Sequence, residues 1–223
     1  MASTLASRVR NDVIHGLLRP GTKLRAQELA ERYGVSAIPM REALCRLASS
    51  GFVRAEDQKG FRVAEVSADE LEDITSTRLF IESEALRRSL RYGDLSWEAN
   101  LIAAHHRMSR TPMQSAGQAG VTPEWEDAHG AFHAALLAAC DSQWLLNLAD
   151  VLRDQTARYR HLSVLPENKE GPRQDPSAAR DVTAEHKAIL DSALERNADR
   201  TIALLTEHFH RTTALVRHKT DHR

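Results

Sequence analysis

The sequence predicts a mostly α protein in two parts, an N-terminal winged helix-turn-helix over residues 1–66 and a C-terminal all-helical bundle of about six helices over residues 67–223. Three observations carry this reading. The stretch from Gln27 to Val63 runs helix, glycine turn, helix and short hairpin. Beyond residue 66 apolar residues recur at helical spacing, with no period-two pattern that would mark a strand. The charge is also divided: residues 1–66 carry 11 Lys/Arg against 7 Asp/Glu, a net of +4, and the remainder carries 19 against 24, a net of −5. The polyanion-binding half is therefore the N-terminal one.

The elements follow in order. Residues 4–18 read as a first helix with Leu5, Val9, Val13, Leu17 and Leu18 on one face, ended by Pro20-Gly21. A short helix, Gln27 to Tyr33, places Leu29 and Ala30 inward, and Gly34 permits the left-handed backbone that closes it. Val35 plugs the corner and Ser36 is placed to cap the next helix, Ala37 to Ser50. That helix buries Met40, Leu44, Leu47 and Ala48 and exposes Arg41 and Arg46; Gly51 stops it. Phe52-Val53-Arg54 and Phe61-Arg62-Val63 form the hairpin, across a turn with Asp57, Lys59 and Gly60.

Ser67, with Glu70 three residues on, caps a helix from Asp69 to Arg91 whose inner stripe is Leu71, Ile74, Arg78, Ile81 and Ala85. Further helices run from Leu95 to Met108 (capped by Ser96), from Pro123 to Ala139, from Ser142 to His161, from Ser177 to Arg196 and from Ala198 to His218. Polar loops at Thr111 to Val121 and Pro166 to Pro176 separate them, and Asn197 joins the last two into a hairpin.

The composition, 42% hydrophobic and 27% charged over 223 residues, is that of a globular chain large enough for a sizeable core. No apolar run approaches the roughly 18 residues of a membrane span, and the N-terminus has no apolar signal core. Cys45 and Cys140, one in each half, do not make a disulfide framework. A cytoplasmic protein with no membrane partner is expected.

Gly16-Leu17-Leu18-Arg19-Pro20-Gly21-Thr22-Lys23-Leu24, Glu28-Leu29-Ala30, Gly34-Val35-Ser36, Pro39 to Leu44, Arg46-Leu47 and Gly51-Phe52-Val53 resemble, in order and spacing, the GntR regulators from about residue 4 to residue 66. Many members of that family carry a basic residue directly after the turn serine, where this chain has Ala37. The bundle resembles the FCD domain of FadR-like members at Thr77-Arg78-Leu79 with Glu82, Phe132-His133, Glu185-His186 with Ile189, and Glu207-His208.

His129 and His133, four apart on one helix, lie about 40° apart on one face. An antiparallel hairpin at Asn197 can bring His186 level with His208, and converging imidazoles suit a first-row transition metal. The FCD resemblance implies a metal held by an acid and three histidines. His133, His186 and His208 match the histidine positions, while His129 stands where the acid is expected. Asp127 lies about 240° round the helix from His133 and points away. His129 is therefore the expected fourth ligand, for zinc or nickel. The other histidines (His105, His106, His161, His210, His218 and His222) read as surface or capping groups, and Trp97, Trp125 and Trp144 as core packing.

Arg78 on an inner stripe wants an anionic partner, either Glu82 or a ligand. The resemblance favours a place beside the metal, gripping an organic acid; Arg153, Tyr159 and Arg160 add donors. The expected function is a DNA-binding transcriptional regulator, a repressor by family habit, whose bundle senses a small carboxylate. It acts as a homodimer on double-stranded operator DNA. Arg41, Ser36 and Ile38 face the bases, and Lys23, Arg25, Lys59, Gly60 and Arg62 face the backbone. Two alternatives are a metalloenzyme tethered to DNA and a regulator with a metal-free acyl pocket. Against the first, the segment from His129 to His133 lacks the glutamate of the zincin motif, and four protein ligands close a site that catalytic zinc keeps open.

Overall fold

The computed structural model of the chain describes residues 2–56, 60–115, 120–163 and 180–220. The elements in order are α1 (Ala2–Ile14), β1 (Lys23–Leu24), α2 (Ala26–Tyr33), α3 (Ala37–Ser49), β2 (Val53–Glu56), β3 (Gly60–Val63), α4 (Ala68–Tyr92), α5 (Leu95–Arg110), α6 (Pro123–Leu137), α7 (Gln143–Ser163), α8 (Val182–Leu194) and α9 (Ala198–Thr220). The architecture is a winged helix-turn-helix followed by a bundle of helices, as the apolar spacing requires. The turn with Asp57 and Lys59, residues 116–119, and the loop and helix start from Pro166 to residue 179 lie outside the described residues.

Gly34 closes α2 in the left-handed region at φ 67°, and the Val35 amide donates to the Ala30 carbonyl at 2.9 Å. Ser36 holds the extended N-cap backbone of α3, yet its side chain makes no capping bond. Met40, Ala43, Leu44 and Leu47 turn inward and pack on Leu5, Val9 and Val13 of α1. That helix ends earlier than the pattern of residues 4–18 suggests. Gly16 takes φ 73° and the Leu18 amide reaches back to the Asp12 carbonyl at 2.9 Å, a left-handed closure one turn before Pro20. Leu17 is thrown outward, 62% exposed, whereas Leu18 still reaches the core.

The wing holds a strand that the sequence did not announce. Lys23–Leu24 pairs antiparallel with β3, giving the order β1-β3-β2. Two residues are too few for a period-two signal. The register sets Lys23 opposite Arg62 and Arg62 opposite Arg54. Gly60 opens β3 at φ 95°; a Cβ there would lie 3.2 Å from the Leu24 carbonyl oxygen, so a side chain would press on the β1 backbone.

In the bundle, Leu86, Leu101, Phe132, Leu136, Ile189 and Leu205 share one core. Ser67 caps α4 by accepting from the Glu70 amide at 3.0 Å. The cap of α5 is Asp94 rather than Ser96, its carboxylate accepting from the Trp97 amide at 2.8 Å. Thr122 caps α6 ahead of Pro123. At the α8–α9 turn Arg196 takes φ 59°, its guanidinium lying over the Trp97 ring at 4.6 Å and donating to the Leu90 carbonyl. Trp97 and Trp125 are buried, but Trp144 is 78% exposed on α7, which corrects its core assignment. Cys45 is exposed and Cys140 buried, both free.

Helix α7 joins the two halves. Its Ala157 sits in the same apolar cluster as Leu5, Met40 and Phe52. Asp154 accepts from Arg10 of α1 at 2.7 Å, and the Gln155 side-chain amide donates to the Ser50 carbonyl at the end of α3. Arg158 and Tyr159 both donate to the Glu70 carboxylate at the start of α4. Among the described residues no helix is long and apolar enough to cross a membrane.

Candidate metal centre and nucleic-acid interface

The outer face of α3 presents Ile38, 74% exposed, and Arg41, with Ser36 exposed just before the helix. The inward turn of Met40, Ala43, Leu44 and Leu47 fixes this outward set through helical periodicity. On the wing, cross-strand pairing lines up Lys23, Arg62 and Arg54 in one row, because directly opposed residues share a face of the sheet. Lys23 and Arg54 are exposed; Arg62 donates to Glu56 at 2.6 Å and to the Gly21 carbonyl at 2.7 Å. Like charges directly opposed destabilise a hairpin, and the Glu56 carboxylate beside Arg62 offsets part of that repulsion. Arg54 was not among the expected contacts, since its place in the row depends on the register of β2 against β3. Arg25 is exposed and paired with Glu28 at 2.6 Å. Lys59 lies outside the described residues.

The four histidines meet in the bundle core. His129 and His133 come from α6, His186 from the first turns of α8 and His208 from the middle of α9. Each offers a ring nitrogen, and these atoms all lie within 4.8 Å of one another. None of the four is more than 4% exposed. The geometry arises as the helical spacing requires: i and i+4 on α6, with the α8–α9 hairpin bringing its two histidines level.

The partners of the other ring nitrogens orient the cluster. His186 Nδ1 donates to the Val182 carbonyl at 2.7 Å, so its Nε2 carries a lone pair, buried and without a partner. His208 Nδ1 lies 2.7 Å from Glu185 Oε2 and donates to it, again leaving Nε2 as the bare nitrogen. His129 and His133 set their Nε2 atoms 3.1 Å apart, and at most one proton fits between them. Trp125 stacks on His129 at 4.7 Å and fixes that ring. For a tetrahedral ion with metal–nitrogen bonds of about 2.0–2.1 Å, ligand nitrogens sit about 3.4 Å apart; the His129–His133 pair stands at 3.1 Å and the whole set within 4.8 Å.

Electrostatics keep the imidazoles neutral. Burial, reinforced by the Arg160 guanidinium, pushes His129 well below the usual imidazole range, and burial with the neighbouring His186 does the same to His133. Burial lowers His186 likewise, and His208 falls to about 4 although its bond to Glu185 favours the charged form. Burial works against ionising Glu185, but bonds from His208, Arg180 and Arg211 outweigh it and hold the carboxyl well below its ordinary range. A neutral imidazole with its distal nitrogen anchored is the form that ligates a metal; His208 is anchored to a carboxylate and His186 to a carbonyl, while Nδ1 of His129 and of His133 is buried without a hydrogen-bond partner.

The expected effector residues divide. Arg78 and Arg160 lie beside the cluster, lining a small space with His129, His208, Thr75 and Thr156. Arg78 donates through Nε to Glu82, rests on the Phe209 ring at 3.8 Å and leaves Nη2 buried without a partner. Arg160 grips Glu126 with two donors. Arg153 does not line that space; it pairs with Asp150 and faces α1. Tyr159 is turned to Glu70 at the domain junction, because it sits one position before Arg160 and so faces about 100° away. His105 is half-buried with its ring edge-on to Phe132 at 5.5 Å, not a surface group, while His106 and His210 are exposed. The side chains of His161 and His218, and His222 altogether, lie outside the described residues. Asp127 is exposed and outside the cluster, as its helical angle requires.

A helix-turn-helix with a basic wing ahead of a helical bundle is the architecture of a DNA-binding regulator. Comparison with known proteins agrees. Residues 1–63 match the family described as bacterial regulatory proteins, gntR family, and residues 73–211 match the FCD domain. The transcriptional regulator BphR of Paraburkholderia xenovorans is 36% identical, covering 94% of this chain and 82% of that one. The transcriptional repressor GlaR of Escherichia coli is 32% identical, covering 90% and 88%. The solved structure of E. coli McbR/YncC superposes with a TM-score of 0.80 at 20% identity, covering 98% of each chain, and so shares the fold. The chain belongs to the GntR family of DNA-binding transcriptional regulators, with a C-terminal FCD domain; its relatives are regulators and not enzymes.

Proposed function

We propose that this regulator is a homodimeric cytoplasmic repressor whose bundle binds one divalent transition metal, zinc or nickel, at His129, His133, His186 and His208, and responds to a small carboxylate metabolite. The observation that carries the metal is the set of four buried neutral imidazoles with the His186 Nε2 lone pair facing no partner. An ion bound there supplies positive charge to a centre that holds four neutral rings, fixing α6 to the α8–α9 hairpin. Arg78 and Arg160 add donors suited to an organic acid. Relatives named as repressors, GlaR and the 24% identical RspR of E. coli, support repression.

Dimerisation is supported by the need for two reading heads and by exposed apolar residues on two packed helices, Phe80 of α4 and Trp144, Leu148 and Val151 of α7. The reading is tested by fluorescence anisotropy on an operator selected from random duplexes, titrated with zinc or nickel and then with small carboxylates. The expected result is specific binding at a stoichiometry of two chains per site, weakened fivefold or more by a carboxylate. Sequence-independent binding, or binding by single chains, would contradict it.

A further inference from the structure

A buried ion centre needs an entry path as well as ligands. The four histidines are at most 4% exposed, so anything that reaches them passes between helices. Two spaces touch the cluster from different sides. One is bounded by α4, α7 and α9, meets His129 and His208, and holds about 10 Å³, room for about one water. Arg78 and Arg160 line it, and guanidinium groups suit an anion rather than a cation.

The other space lies where the end of α5 and the loop after it face the start of α8. It holds about 100 Å³, room for several waters. Buried His186 and Trp125 line it together with exposed Thr183, so it runs from the surface to the histidines. Among the described residues no Lys or Arg lines this space.

Its donors are neutral ones. His105 lines the cavity, and its Nε2 is buried with no hydrogen-bond partner. One aromatic ring separates it from the centre: His105 is edge-on to Phe132 at 5.5 Å, and Phe132 is edge-on to His186 at 5.5 Å. Met108 and Met113, with thioether side chains, line the cavity too. Imidazole and thioether both bind transition metals. A passage needs contacts good enough to admit an ion and weak enough to release it, and this set holds no carboxylate to trap one.

We propose that this cavity is the passage by which a divalent transition metal enters and leaves the histidine centre, with His105 as its transit ligand. This rests on the reading that the centre binds a metal. Charge sorts the two sides. The cation approaches by the neutral side, where His186, whose Nε2 has no partner, is the first of the four ligands met. The arginine-lined side is left to the anion.

The test follows zinc by stopped flow as it passes from a chromophoric chelator to the stripped full-length protein, and back when excess chelator is added. Thr183→Trp plugs the cavity from an exposed position, and His105→Leu keeps its volume but removes the ring donor. A raised barrier slows passage equally in both directions. Loading and removal are therefore expected to fall by the same factor, tenfold or more in Thr183→Trp and threefold or more in His105→Leu. The equilibrium affinity stays within twofold of the wild type, and circular dichroism confirms that each variant keeps its helices. Wild-type rates in either variant, or an affinity that shifts because only one of the two rates changes, overturns the passage. The metal reading fails in a different way, by a wild type that takes up no zinc at equilibrium, and the passage falls with it.

Discussion

Glu82→Ala is expected to lower the unfolding free energy by about 3–5 kcal/mol, the usual effect of removing one partner of a buried ion pair. Arg78 and Glu82 are 2% and 1% exposed, so the surviving guanidinium is left deep in the bundle without its anion. Its contact with the Phe209 ring offsets part of that loss. At roughly 2–4 °C per kcal/mol for a chain of this size, the melting temperature falls by roughly 6–20 °C, read by calorimetry. Replacing both partners by Met and Leu restores stability, because the desolvation of two charges disappears together. The doubly substituted protein therefore separates a structural Arg78 from one that also serves the effector: it folds, and its operator binding no longer answers to carboxylate if the guanidinium holds that ligand.

Arg41→Ala is expected to weaken operator binding by about 5- to 150-fold, the range for losing one bidentate base contact. Arg41 is exposed on the outer face of α3, and Ala37 offers no guanidinium beside it, so on the proposed reading Arg41 is the arginine expected to contact a base. The measurement is anisotropy on the selected operator and on a scrambled duplex over a range of salt. A base contact gives loss on the operator with little change on the scrambled duplex. Equal losses on both, with the salt slope reduced by about one, identify a phosphate contact instead.

The helix-turn-helix could be read from particular residues. Gly34 takes the left-handed backbone assigned to it, and Met40, Leu44 and Leu47 turn inward at their helical spacing. The i, i+4 spacing on α6 likewise placed His129 beside His133 without reference to any other helix. Other features depend on contacts between segments distant in the chain. The lone strand β1 exists because β3 offers it an edge, and the basic row through Arg54 exists because of the resulting register. Glu185 beside His208 is set by how α8 and α9 rotate against one another, which periodicity does not fix. The exposed Trp144 shows the reverse: a large apolar residue at a regular helical position, on a side of α7 that this chain leaves uncovered. A cleft where α1 faces α6 and α7 was also hidden, since its walls come from residues more than a hundred positions apart. Even Gly16, which ends α1 early, was overlooked because Pro20-Gly21 is the stronger punctuation.

Metal content of the protein as purified, by elemental analysis beside the His133→Ala, His208→Ala variant, tests the histidine centre most directly. About one zinc or nickel ion per chain is expected in the wild type, and none in the variant, whose helical content stays within error of the wild type by circular dichroism. A wild type that remains metal-free after incubation with excess zinc and nickel, or a variant that keeps its ion, would contradict the centre.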